Sequence, residues 1–345
     1  MILFMIKVLV VDDSAFMRQI FKKTINQQPD LKVIETARNG SEAIKLLAEI
    51  NPDVITLDVE MPVKNGIQTL KEIITSSESI PVIMVSAMDS RETVIKALDL
   101  GAFDFIPKPS GTISLDIDTI KNKLISKIKA AASSRNNSPD IKNIKTKYTK
   151  KVNPSKNFPV IAIGTSSGGP KALKQLLSAF PGNFPAGFIV VQHMPAGFTA
   201  SLARNLNQKC NLKIKEAEKN NQIEKGKVLI APGNYHLEIS KQKKVVLNQR
   251  PPKWGVRPCV DYMMKSVARV FQKRTIGIIL TGMGHDGGEG MKEIKKYNGY
   301  GIVEDESTAL VYGMPSTTIK KNAYDKILPL DQIPPEIIKL IERRY

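Results

Sequence analysis

The chain has 345 residues, of which 42% are hydrophobic and 24% charged, and its formal net charge is +18. That length exceeds one ordinary core and suits two globular domains joined by a linker. No apolar run reaches the roughly 18 residues of a membrane helix, and the only two cysteines, Cys210 and Cys259, cannot build a disulfide framework, which points to the reducing cytoplasm.

The opening residues, MILFMIKVLVVDD, run straight into paired acids and have neither a basic leader nor a small-residue cleavage site. They read as a first β-strand, with Met5 as an alternative start. From residue 5 to about 130, short β-branched runs (IKVLVV, LKVIETA, DVITLD, IPVIMVS and FDFI) alternate with helical patterns such as SEAIKLLAEI and RETVIKALDLG. Five strand–helix repeats predict a parallel sheet covered on both faces.

In doubly wound sheets, functional groups gather outside the carboxyl ends of the strands. Here those ends carry Asp12 and Asp13, then Asp58, Ser86 and Lys108. Three converging carboxylates repel one another and require a divalent cation, for which oxygen-seeking Mg²⁺ fits best. With a lysine and a hydroxyl beside it, such a site would stabilise a phosphoryl group on one carboxylate. A single Asp beside a turn is ordinarily a cap, so the set carries the reading. VDDSAFMR, LDVEMPVKNG, Ser86 and FIPKP, with its Lys108-Pro109 step, resemble the receiver domains of two-component response regulators across residues 5–130. The resemblance implies that Asp58 accepts the phosphoryl group, that Asp12 and Asp13 hold Mg²⁺ with it, that Ser86 senses the phosphoryl group and that Lys108 pairs with it. It makes Phe105 the switching aromatic, a plain core position being the other reading.

Residues 131–157 are polar, basic and short of large apolar side chains, and read as a flexible linker. Eleven basic side chains fall between Lys121 and Lys156 against the single acid Asp140, as in a solvated linker or a dock for acidic partners. From Phe158 the alternation restarts with PVIAIG, GFIVVQH, KVLIAPG, TIGIILTGM and GYGIVED. In PKALKQLLSAF, Leu173, Leu176, Leu177 and Phe180 recur at helical spacing, with Pro170 suited to the first turn. The fold class is thus α/β, with two doubly wound parallel-sheet domains at 1–130 and 158–345.

GTSSGG, at 164–169, satisfies the G-x-S-x-G pattern of a tight strand-to-helix turn that exposes a serine near backbone amides. The pattern alone fits a phosphate-binding or structural turn equally well, so it needs a base and an orienting acid. His193 ends GFIVVQH and is the preferred base; His236 reads mainly as structural and His285 as an exposed loop residue. Asp286 follows TIGIILTGMG in a glycine-dense loop and is the preferred acid. The order Ser166, His193, Asp286 differs from the Ser, Asp, His order of α/β-hydrolases.

IGTSSGGP, VVQHMP, IAPGNYHLEI, VRPCVDYMMKSVA, LTGMGHDGGEGM and VYGMPSTTI resemble the chemotaxis protein-glutamate methylesterases, the CheB family, in order and spacing from about Val160 onward. The resemblance implies a flavodoxin-like receiver followed by a Rossmann-like three-layer α/β/α hydrolase. In it Ser166 is the nucleophile, His193 the general base and then acid, Asp286 the orienting residue, and backbone N–H groups near Met283 the oxyanion hole. It further implies methyl-accepting chemotaxis receptors as substrate, a chemotaxis histidine kinase as phosphodonor, no cofactor for the esterase, and no nucleic-acid partner or membrane insertion. Cytoplasmic location with recruitment to receptor clusters follows. A receiver with no chemical role in ester hydrolysis, tethered by a flexible linker to a hydrolase that must admit a receptor helix, predicts autoinhibition, the unphosphorylated receiver covering the mouth formed by Ser166, His193 and Asp286. Thr165, Ser167 and Glu304 depart from the residues common in that family. Two rival readings are a receiver-driven nucleic-acid-binding regulator, prompted by the charge, and a catalytically inactive receptor-docking scaffold.

Overall fold

The computed structural model describes residues 5–76, 80–108, 116–134 and 157–344. Residues 1–4, Pro109 and most of the expected linker, 135–156, lie outside the described residues. Two compact units result, Met1–Ser138 and Pro139–Tyr345.

In the first unit, β1 (Ile6–Val11), β2 (Leu31–Ala37), β3 (Val54–Asp58), β4 (Val82–Ser86) and β5 (Asp104–Pro107) form one parallel sheet in the order β2-β1-β3-β4-β5. This is the flavodoxin-like strand order. Every residue of β3 and β4 is buried, so both faces of the sheet are covered. The intervening helices are α1 (Ala15–Asn26), α2 (Gly40–Leu47), α3 (Gly66–Thr75), α4 (Arg91–Leu100) and α5 (Asp116–Ser134). Ser14, Asn39 and Asn65 cap the first three through their side chains. The expected linker start at residue 131 falls inside α5, because KAAASS continues a good helix-forming run and buries Ala131 and Ser134.

The second unit is a seven-stranded parallel sheet in the order β14-β13-β12-β6-β7-β9-β8, plus an antiparallel hairpin of β10 and β11. Its strands are β6 (Val160–Thr165), β7 (Gly187–Gln192), β8 (Lys213–Glu216), β9 (Lys227–Ile230), β10 (His236–Ile239), β11 (Val245–Asn248), β12 (Thr275–Ile279), β13 (Tyr300–Glu304) and β14 (Lys326–Leu328). Its helices are α6 (Gly169–Ser178), α7 (Phe198–Lys209), α8 (Val260–Phe271), α9 (Gly288–Lys296), α10 (Gly313–Lys320) and α11 (Ile333–Arg344). Leu173, Leu176 and Leu177 are buried as the spacing requires, but α6 stops at Ser178. Phe180 lies beyond it and packs on Phe184 and Phe188, with ring centroids 4.6 and 5.4 Å away. The apolar spacing therefore runs past the helix into an aromatic cluster. No helix among the described residues is long and apolar enough to cross a membrane.

Register places the site. Thr165 pairs with Gln192 across β6 and β7, and Gly164 pairs with Ile279 across β6 and β12. The carboxyl ends of the three central strands thus stop at one level, at the point where the strand order departs from β6 on one side to β7 and on the other to β12, the switch point where doubly wound sheets place their sites.

Candidate functional site

Ser166 follows β6 and His193 follows β7, so in-register strands deliver both to the same edge. Gly168 closes the serine turn at φ +78°, a left-handed conformation open to glycine at little cost. The turn is fixed through its backbone: Ser166 N donates to Thr281 O at 3.1 Å, and Gln192 Nε2 donates to Ser166 O at 2.8 Å. Ser166 Oγ itself makes no hydrogen bond among the described residues.

His193 Nε2 lies 2.9 Å from Asp286 Oδ2. This leaves Nδ1 as the ring nitrogen free to serve a hydroxyl. Asp286 is 1% exposed and accepts from Val260 N at 2.6 Å, Asp261 N at 2.9 Å and Cys259 Sγ at 3.1 Å. Burial opposes its charge, but His193 and the two amides outweigh burial and hold the carboxyl below the usual range. Cys259, buried against this carboxylate, has its thiol pushed well up.

The amides of Val260 and Asp261 open α8, so the acid that orients His193 also caps a helix. Asp261 returns the arrangement, its Oδ1 accepting from Gly287 N at 3.0 Å and Gly290 N at 2.8 Å at the start of α9. Its Oδ2 takes Lys253 Nζ at 2.8 Å and Trp254 Nε1 at 3.0 Å. Two helices thereby cap each other around Asp286.

The other histidines stand apart. His236 is fully buried, with Nε2 3.2 Å from Pro251 O and its ring edge-on to Tyr262. Burial pushes its pKa down, in keeping with a structural role. His285 is exposed and faces Thr317 Oγ1 at 3.1 Å. Met283, next to the serine turn, keeps a backbone N–H that donates to no acceptor among the described residues.

In the first unit, Lys108 Nζ lies 2.7 Å from Asp58 Oδ2 and 3.1 Å from Asp12 Oδ2. Asp58 is 2% exposed, and burial, reinforced by the charge of Asp12 against the pull of Lys108, raises its pKa to about 6. Burial also works against the charge on Lys108, but Asp58 and Asp12 outweigh it and hold that pKa above the ordinary value. Donor atoms of Asp12, Asp13 and Asp58 lie within 4.8 Å of one another. Asp12 Oδ2 is buried with only the Lys108 ammonium, 3.1 Å away, beside it, and an oxygen-only set of three carboxylates fits a hard cation. Ser86 is buried at the end of β4 and its Oγ donates to Ala87 O at 2.9 Å. Phe105 is buried in β5, with Lys127 Nζ 5.9 Å from its ring centroid.

Sequence reading missed Gln192, Cys259, Asp261 and Thr281. Gln192 precedes His193 and Thr281 follows the β12 run, so both stood at strand ends where a fuller inspection would find them. Cys259 and Asp261 are visible only once α8 meets Asp286.

Residues 161–337 match the family model described as CheB methylesterase, and residues 8–117 that of the response regulator receiver domain. A Pyrococcus abyssi protein named protein-glutamate methylesterase/protein-glutamine glutaminase is 44% identical, covering 98% of this chain and 94% of that protein. A Thermotoga maritima protein of the same name is 42% identical, covering 97% and 98%. The crystal structure of the Thermotoga maritima CheB methylesterase catalytic domain superposes with a TM-score of 0.52 at 41% identity, over 53% of this chain and 99% of that one. The output unit is therefore matched to a hydrolase, against the nucleic-acid-binding alternative.

Proposed function

Because the chain belongs to the CheB methylesterase family, with a response-regulator receiver domain in front, we propose that it demethylates γ-glutamyl methyl esters and deamidates glutamines on chemotaxis receptors. The carrying observation is the 2.9 Å His193–Asp286 contact at the sheet edge that also presents Ser166. Ser166 attacks the γ-carbonyl, and His193 takes the hydroxyl proton and returns it to the leaving methanol or ammonia. Asp286 holds the imidazole in orientation and offsets its charge. The unpaired Met283 N–H supports an oxyanion role for that backbone. Water then hydrolyses the acyl-enzyme, with His193 again as base. Methanol release from methyl-labelled receptor membranes tests the activity directly; none from folded wild-type protein would overturn it.

The receiver is phosphorylated on Asp58 by a chemotaxis histidine kinase, and Asp12, Asp13 and Asp58 hold Mg²⁺. When bound there, Mg²⁺ supplies positive charge against the transferring phosphoryl group. Lys108 pairs with that group, Ser86 senses it, and Phe105 follows the change. The protein works in the cytoplasm, recruited to receptor clusters. Asp58→Asn is expected to abolish acyl-phosphate labelling and stimulation by a phosphodonor while basal ester hydrolysis continues. Persistent labelling of that variant would move the acceptor elsewhere.

Phosphorylation activates by relieving autoinhibition. A bias of about 1.4 kcal/mol between closed and open states gives roughly tenfold more open enzyme, within reach of one new phosphoryl group. A receiver that runs to the end of α5 at Ser134 and a catalytic domain from Phe158 frame the test. A fragment from Phe158 to Tyr345, which carries its own buried core, should hydrolyse receptor esters faster than unphosphorylated full-length protein. A folded fragment that is slower would mean that the receiver assists docking.

A further inference from the structure

Behind the serine turn lies an ionisable side chain that the triad does not use. Glu304 closes β13, the strand beside β12, and is fully buried. Its Oε2 accepts from Thr281 N at 2.6 Å and its Oε1 from Thr308 Oγ1 at 3.1 Å. The neighbouring carboxylate of Asp305 is the one charge acting on it, and no cation pairs with it among the described residues. Burial, only partly offset by the two hydrogen bonds, pushes its pKa up to about 7. Such a costly group needs a reason.

Thr281 supplies one, because the nucleophile turn hangs from it. Thr281 O accepts from Ser166 N at 3.1 Å and from Thr165 Oγ1 at 2.8 Å. Thr281 Oγ1 donates to Ser167 O at 2.9 Å and accepts from Val311 N at 2.9 Å. At Gly282 the backbone runs so close that an added Cβ would meet Ser166 Cβ at 2.9 Å and Ser166 N at 3.0 Å. Met283 comes next.

We infer that Glu304 is a positioning residue of the hydrolase: by holding Thr281 N it fixes the strand end that anchors Ser166 and aims the Met283 N–H. The inference rests on Ser166 being the nucleophile. What the role needs is an acceptor for Thr281 N, and the charge is incidental. Glutamine, or protonated glutamate, would offer one oxygen to Thr281 N and one donor to Thr308 Oγ1. The proton of Thr308 would then turn to Asp305 O, 3.5 Å away. Methionine, similar in length, offers only a weak thioether acceptor and leaves the buried Thr281 N–H poorly paired.

The test uses full-length protein and methyl-labelled receptor membranes. Glu304→Gln should keep kcat within about threefold, whereas Glu304→Met should lower it about 10- to 100-fold with KM little changed, the scale of a misplaced reacting group. Stability gives a second readout. In the fold Glu304 keeps its proton up to about pH 7, while the unfolded chain loses it near 4.5. Wild-type stability therefore falls as pH rises through that window. Glu304→Gln should lack that decline while retaining activity, as a role that needs the acceptor and not the charge requires. A folded Glu304→Met with wild-type kcat overturns the inference. So does a folded Glu304→Gln slowed tenfold or more, which decides the matter even if the methionine variant fails to fold. Ser166→Ala run alongside separates the two readings: activity of that variant would overturn the nucleophile and this inference with it, whereas an inactive Ser166→Ala beside a wild-type Glu304→Met overturns the positioning role alone.

Discussion

Replacing Ser166 with alanine is expected to lower methanol release by on the order of a millionfold, the loss measured when a comparable serine hydrolase is stripped of its nucleophile. The fold should not notice. Ser166 is held through its backbone by Thr281 and Gln192, while its Oγ makes no hydrogen bond that alanine would forfeit. A residual rate from the oxyanion donor and from binding is all that should remain. Circular dichroism on the same preparation separates lost chemistry from lost structure. Near-normal turnover by folded Ser166→Ala would remove the residue from the mechanism.

His193→Gln is expected to be almost as damaging, on the order of 10⁵- to 10⁶-fold, because the serine then has no group to take its proton. Glutamine can still donate to Asp286, so packing changes little. His285→Gln should cost less than about tenfold, although His285 is the immediate neighbour of Asp286 in sequence. Its ring is engaged with Thr317 Oγ1 at 3.1 Å and lies edge-on to Trp254, with no hydrogen bond to the triad. Measured in parallel, the two variants distinguish the histidines by direction as well as size. A His285 change that exceeds the His193 change would dissolve the triad as assigned.

The receiver sheet was readable in the chain because β1, β3, β4 and β5 are short, largely buried runs that end at or just before a candidate site residue, whereas β2 is partly exposed and carries none. Asp12, Asp58, Ser86 and Lys108 all obey that rule, and so do Ser166 and His193 in the second unit. What escaped has physical reasons. β8 is Lys213–Glu216, three charged residues in four, and β14 is only three residues long; both are sheet edges, where apolar patterning is weakest. The helix implied by Phe180 ended early because an aromatic cluster needs the same apolar spacing without the helix. Thr281 supports Ser166 across more than a hundred residues of chain, and Asp261 reaches Asp286 only through two helix starts. Neither relation leaves a periodic trace.

The reciprocal capping of α8 and α9 bears on how a degenerate relative would be recognised. Asp286 serves two masters, since losing it would strand the amides of Val260 and Asp261 as well as the imidazole of His193. Selection for a folded chain alone would therefore preserve this acid in a lineage that had abandoned ester hydrolysis and kept the domain as a scaffold. Its presence speaks to folding before it speaks to turnover. The serine hydroxyl carries no such second duty, so drift would erase it first, and the identity of residue 166 is the more telling sign of a working enzyme.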